Sequence, residues 1–273
     1  MEVHSDLARG SNIKNKEYNP EEVYRHVLAV EKASNAIRAV IDTKIAENPE
    51  MHPLSVARDV CLSLLKGSSA FNDVGLEGRH ARGCVAEVLL EKIMNIWLRE
   101  YHIPGIVVSN SMLKVYPRTP SREETTQLDL VTVTDKIMLV CECKSYAGEK
   151  TTDGEIVKTK DMDLYPWKQN RGHITAIKNN LTNIGIILPE IYNVVYFFAE
   201  GKFTEWQRPA ESQDILLVNY GCLSTLNKLY NNSRYKSDSL SADDLANIRN
   251  FLQSTIPTVE EQADHILRLN KII

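Results

Sequence analysis

Hydrophobic residues recur along this chain at two different spacings. From Pro20 to about Ile45, Val23, Val27, Val30, Ile37 and Ile41 repeat at alternating threes and fours, which predicts a long helix with one apolar seam and Pro20 in its first turn. Ser34 interrupts the seam. Asn48-Pro49 and Gly67-Ser68-Ser69 bracket a shorter helix through Leu54, Val56, Val60, Leu62 and Leu65, and Gly75, Gly78 and Gly83 mark a loop after it. From Gly83 to about Tyr101, Val85, Val88, Leu89, Ile93, Ile96 and Trp97 predict an amphipathic helix. Pro104-Gly105 closes the connection, and Ile106 to Val108 with Met112 to Tyr116 reads as a strand, either continuous or broken at Ser109-Asn110.

At the centre the pattern turns to β-branched and aliphatic runs, Leu128 to Val133 and Ile137 to Cys143, separated by the polar Thr134-Asp135-Lys136. This predicts a hairpin. A two-residue loop at Asp135-Lys136 sets Thr134 opposite Ile137 and, counting outward, Asp129 opposite Glu142. Asp-Lys is a poor type I′ turn, so a longer or bulged loop that offsets the pair by one residue stays open. Side chains alternate along a strand, so Lys144 shares the face of Glu142, whereas Leu139, Cys141 and Cys143 face the other way with Leu128 and Leu130. Opposed residues have Cβ atoms roughly 5 Å apart, and like charges so placed are destabilising unless compensated, as a divalent cation would do. A solvated surface strand accounts for one such charged triplet, but less readily for carboxylates ending two apolar strands.

Gly148 to about Tyr165 reads as a charged loop. Pro166 opens a helix with Trp167, Ile174, Ile177 and Leu181 on one side and Gln169 and His173, at i and i+4, on another. Ile191 to Ala199 is the most apolar run and predicts a buried strand, with another from Asp214 to Tyr220. Ser241-x-x-Asp244 and Thr258-x-x-Glu261 each open a capped helix. From residue 83 the order is helix, three strands, helix, strand: a meander followed by a helical crossover, which gives a mixed sheet covered on both faces.

With 273 residues, 43% of them hydrophobic, the chain can bury a substantial core. It has no run of about 18 apolar residues, and Met-Glu-Val-His-Ser-Asp lacks the basic and apolar regions of a signal peptide, so the protein is expected to be soluble and cytoplasmic. Cys61, Cys84, Cys141, Cys143 and Cys222 are odd in number and scattered, which argues against a disulfide framework; Cys141 and Cys143 read as small apolar residues on the buried face. The net charge of -4 carries no global signature for nucleic acid or anionic membranes, yet leaves room for an enzyme that grips a few phosphates locally. Glu87, near the start of its helix, has an ordinary use in the helix dipole. The N-terminal seam admits a coiled-coil homodimer through that helix.

Four segments together carry a resemblance: Gly83-Cys84-Val85-Ala86-Glu87; Thr126-Gln127-Leu128-Asp129; Glu142-Cys143-Lys144-Ser145-Tyr146-Ala147-Gly148; and Pro166-Trp167-Lys168-Gln169-Asn170. In this order they resemble the nuclease-related domain (NERD) family of the PD-(D/E)xK nuclease superfamily, over roughly residues 80 to 200. Ala86 stands where the family often has glycine, and Leu128 replaces the superfamily's nominal proline; neither removes a functional side chain.

The resemblance implies an α/β, restriction-endonuclease-like αβββαβ core with a mixed central sheet and helical N- and C-terminal extensions. The expected divisions are a tail at 1–18, a helical extension at 19–70, the core at 71–225 and a C-terminal helical pair at 226–273. It further implies that Asp129 and Glu142 bind Mg²⁺ or Mn²⁺ with the main-chain carbonyl of Cys143, and that Glu87 reaches the metal or its water shell. By the same resemblance Lys144 would orient and help deprotonate the attacking water or neutralise charge building on the phosphorane, and Gln169 would orient the lysine or the water. Lys150, Lys158, Lys160, Lys168 and Arg171 are candidate phosphate contacts, each also compatible with a solvated face. The activity implied is metal-dependent hydrolysis of DNA phosphodiester bonds, in defence, repair or mobile-element processing. DNA against RNA and endo- against exonuclease stay open. Glu87, Asp129, Glu142, Lys144 and Gln169 together favour an enzyme over the alternative, a nuclease-fold module that binds nucleic acid or protein without chemistry. The modest charge points to a protein partner that delivers the substrate.

Overall fold

The computed structural model describes residues 19–67, 78–115, 124–145, 149–150, 156–157, 168–198, 210, 214–233 and 240–269. The tail expected at 1–18 and most of the charged loop lie outside them. The helices are α1 (Pro20–Glu47), α2 (Pro53–Lys66), α3 (Gly78–Glu100), α4 (Lys168–Asn183), α5 (Leu223–Asn232), α6 (Ala242–Ser254) and α7 (Val259–Leu269). The strands are β1 (Gly105–Val115), β2 (Glu124–Thr134), β3 (Ile137–Lys144), β4 (Glu149–Lys150), β5 (Ile156–Val157), β6 (Glu190–Phe197) and β7 (Ile215–Val218). They fall into two compact units, Met1–Lys92 with Pro257–Ile273, and Ile93–Ile256.

The first unit is helical. α1 starts where the Asn19 side chain accepts the Glu21 N–H and Pro20 fills the first turn, which has no use for its missing N–H. Its seam is buried as the spacing predicts, and Ser34 packs into it rather than breaking it. Val23 and Val27 pack with Ala263, Ile266 and Leu267 of α7. The stripe expected to dock a second copy is thus covered here by the chain itself, and the coiled-coil expectation is corrected. Arg38 grips Glu91 at 2.8 Å on a half-buried surface, and Lys92 reaches Asp42 at 2.7 Å. α3 begins at Gly78, five residues before the expected start, with Gly83 inside it.

The second unit is an α/β layer structure. Its five-stranded sheet has the order β1-β2-β3-β6-β7, antiparallel from β1 to β3 and parallel from β3 through β6 to β7. The succession α3, β1, β2, β3, α4, β6 is the αβββαβ order the resemblance implies, with β4 and β5 as a small antiparallel ladder inside the loop expected after the hairpin. Val131, Val133, Met138 and Val140 form one face of the hairpin and pack against Ala176, Ile177 and Leu181 of α4 and Leu245, Ile248 and Leu252 of α6. Each such side chain contributes about 1.5–3 kcal/mol when fully buried, so this layer holds α4 firmly over the hairpin.

Asp135-Lys136 is a two-residue loop, as expected, and its unsuitable sequence is offset by Thr134. The Thr134 hydroxyl accepts the N–H groups of Lys136 and Ile137 and donates to the Ile137 carbonyl. Tyr230 of α5 donates to Asp135 at 2.9 Å, and Lys136 lies over its ring. α5 itself was not expected, since its Ser, Thr and Asn residues carry little helix propensity. β1 runs unbroken through Ser109-Asn110: Asn110 takes a left-handed φ of 60°, which asparagine tolerates, and pairing resumes at Ser111 opposite Leu128. At Gly105, a Cβ would lie 2.8 Å from the Val133 carbonyl oxygen, so β1 approaches β2 there as only glycine permits. The capping box at Ser241 and Asp244 is present, and Thr258 and Glu261 exchange equivalent bonds. Among the described residues no helix is long and apolar enough to cross a membrane.

Candidate functional site

The hairpin register places Asp129 and Glu142 at the same level. Paired residues run from Val133 with Met138 to Leu130 with Cys141, so the next position outward sets Asp129 against Glu142. There the two strands part. β3 stays in register with β6, Glu142 beside Val195 and Lys144 beside Phe197, while β2 no longer pairs with β3. The Cys143 N–H is taken instead by the Asp129 carboxylate at 2.8 Å. Lys144 Nζ lies 2.5 Å from Glu142 Oε1. Asp129, Glu142 and Lys144 are all buried, at 5%, 2% and 3% exposure.

Three side chains bordering this point were not assigned to it from the sequence. Gln127, one step along the Asp129 face, donates to Asn110 at 3.3 Å, and Asn110 stands level with Asp129 on β1. His173 of α4 is 1% exposed, and its Nδ1 lies 3.5 Å from Glu142 Oε2. The sequence reading set His173 on a different face from Ile177, but they are i and i+4 and share the buried stripe. The signal was that spacing, obscured by treating a histidine as polar surface. Burial holds the His173 imidazole below its ordinary value against the upward pull of Glu142 and Asp129.

Asn170 anchors the start of α4. Its amide nitrogen donates to the carbonyls of Val140 at 2.9 Å and Val194 at 3.0 Å, and to the Asn193 side chain. The first turn of α4 is thereby tied to β3 and β6 one residue pair short of Glu142. Gln169 and Lys168 belong to that turn, and Lys150 to β4; their side chains lie outside what is described, as do Lys158 and Lys160 altogether. Arg171 is exposed on α4. Glu87 is half-buried on α3 in the first unit.

All five cysteines are free and buried, Cys141 and Cys143 as expected, and burial pushes the thiols of Cys61, Cys84 and Cys222 up to about 12. Among the described residues no group of three or more His, Cys, Asp or Glu is placed to hold a metal ion. Mg²⁺ does not require one, since it is commonly held by one or two carboxylates with water and substrate phosphate. The donors here suit such a hard cation: two carboxylates, with Glu142 Oε2 buried and taking no hydrogen bond from the described residues.

Comparison with curated proteins finds no match. Among solved structures, the crystal structure of protein VC1899 from Vibrio cholerae is similar at 13% identity and a TM-score of 0.33, over 86% of this chain and 55% of that one. This chain therefore spans about half the length of that protein. Residues 86–198, which include Asp129, Glu142, Lys144 and His173, match the family model described as nuclease-related domain (NERD).

Proposed function

We propose that this protein is a metal-dependent nuclease that hydrolyses phosphodiester bonds of DNA. The observation that carries the reading is the buried cluster of Asp129, Glu142 and Lys144 where β2 and β3 part. Removing an ion from water costs several kcal/mol even after relaxation, so buried carboxylates stand where something balances them. Lys144 pairs with Glu142, and two carboxylates brought to one strand end are a donor set that suits a divalent cation together with a phosphodiester.

In this reading Asp129, Glu142 and the Cys143 carbonyl would hold Mg²⁺ or Mn²⁺. Such a cation supplies an acidified water and neutralises charge at the phosphate. The Lys144 ammonium donates to the attacking water or to a phosphate oxygen as its charge grows, an interaction stronger in the transition state than in the ground state. Gln169 orients the lysine or the water. Lys150, Lys158, Lys160, Lys168 and Arg171 grip flanking phosphates. Cytoplasmic defence, repair or mobile-element processing, with a protein partner delivering the substrate, suits a nuclease of modest net charge.

The test is incubation of the purified protein with circular and linear DNA, with and without Mn²⁺. Nicking of circles that requires Mn²⁺ and is lost in Glu142→Gln supports an endonuclease at this site. DNA binding without cleavage under any divalent cation would instead identify a binding module, and cleavage retained in Glu142→Gln would place the activity elsewhere.

A further inference from the structure

We propose that His173 is a positioning residue for Glu142, using its Nδ1–H to fix the carboxylate oxygen Oε2 in the orientation that receives the cation. The proposal rests on the reading of Asp129 and Glu142 as metal ligands. The buried stripe of α4 runs Asn170, His173, Ala176 and Ile177, Asn180 and Leu181. Its apolar members cover Val131, Val133, Met138 and Val140, so its polar first half lies toward the charged end of the hairpin. Asn170 and Asn180 both donate their amides to main-chain carbonyls, which accounts for their burial. His173 has no such use. Neither imidazole nitrogen makes a hydrogen bond to the described residues, and neither does Glu142 Oε2.

These two orphaned groups face one another at 3.5 Å. Buried polar atoms are costly without partners, and a few tenths of an ångström of side-chain movement brings this pair into hydrogen-bond range. A neutral imidazole has one N–H and one bare nitrogen, so donation from Nδ1 fixes the tautomer. A carboxylate oxygen has two lone pairs, so Oε2 accepts that N–H and still offers a lone pair to a cation. Oε1 is meanwhile held by Lys144. With both oxygens held, the carboxylate cannot turn about its last torsion, and the rotational freedom otherwise lost on metal binding is lost on folding.

The experiment uses Mn²⁺ alone, without DNA, and follows its binding by the loss of the free-ion EPR signal, with thermal melting as a fold control. Asparagine places a donor where Nδ1 sits, and glutamine places its polar atoms where Nε2 sits. The expected result is that His173→Ala and His173→Gln weaken Mn²⁺ binding by about 10- to 100-fold, the usual effect of removing a partner of a ligand, while His173→Asn binds close to the parent. Rescue by His173→Gln and not by His173→Asn would overturn the proposal, because Nε2 would then be the working atom. Equal affinity in parent, His173→Asn and His173→Gln, with Asp129→Asn still losing Mn²⁺, would overturn it alone and leave a packed core histidine. A parent protein that takes up no Mn²⁺ would overturn the metal reading itself.

Discussion

The carboxylate of Asp129 accepts the Cys143 main-chain N–H at 2.8 Å just past the last paired residues of β2 and β3, so one side chain both caps the split between the strands and supplies half of the acidic pair. A hydrogen bond to a charged group contributes about 1.5–3 kcal/mol, and asparagine retains an acceptor where alanine has none. Asp129→Ala is therefore expected to lose more stability to urea than Asp129→Asn in metal-free buffer. Both should lose the rise in melting temperature that millimolar Mn²⁺ gives the parent through binding to the native state. Equal urea midpoints for the two variants would mean that the strand end is held by something else.

Lys144 pairs with Glu142 in the structure, and in the proposed reaction it would have a second, separable duty, acting on the developing charge. Its ammonium is buried with the carboxylate, so Lys144→Ala leaves Glu142 without that partner, and stability in metal-free buffer should fall. Mn²⁺ should recover part of that loss. Under single-turnover conditions cleavage should drop about a hundredfold, on the order of 3 kcal/mol of transition-state stabilisation, with DNA affinity little changed. Robust Mn²⁺-dependent cleavage in Lys144→Ala would assign the activity to another site or a contaminant.

The register that brings Asp129 to Glu142 was legible because strand alternation has a period of two and a two-residue loop leaves no slack: Thr134 faces Ile137, and every later pair follows by counting. What made the weak turn sequence workable was not legible, because the Thr134 hydroxyl closes the loop through bonds that no propensity for Asp-Lys encodes. Whether β1 continues past Asn110 was open in the sequence for a similar reason. A polar pair looks like a break, while one left-handed residue lets the strand continue. His173 escaped because its spacing to Ile177 is visible in the sequence, but the reason to bury an imidazole lies on another element. The dimer seam was read correctly as apolar; that α7 would cover it depended on where a helix more than 200 residues later returns.

Asn170 holds the first turn of α4 against two strands at once, and its amide nitrogen is fully buried against the Val140 and Val194 carbonyls. Asn170→Ala should cost about 1–3 kcal/mol, since it removes a buried donor shared by two main-chain carbonyls and the Asn193 side chain. Asn170→Asp should be worse, because it sets a carboxylate against carbonyl oxygens. The site should suffer with the fold: Gln169 precedes Asn170 and His173 follows one turn on, so Mn²⁺ affinity should fall in Asn170→Ala even at temperatures where circular dichroism shows it fully folded. A destabilised variant with unaltered Mn²⁺ affinity would separate this anchor from the site.

Acid should weaken the first unit through His26. Its imidazole is half-buried edge-on to His80, with ring centroids 4.8 Å apart, and burial, aided by His80, lowers its pKa to about 4 from an ordinary value of 6.5. The native state then binds this proton less readily than the unfolded chain, so the contribution to stability is whole above pH 6.5 and drains away as pH falls toward 4. Partial exposure screens the effect, which makes the direction the quantity to measure. His26→Phe keeps a ring at this position and removes the titration. Urea midpoints measured at pH 7.5 and pH 5 should therefore drop less in His26→Phe than in the parent. Equal drops would show that the acid sensitivity of the fold comes from other groups.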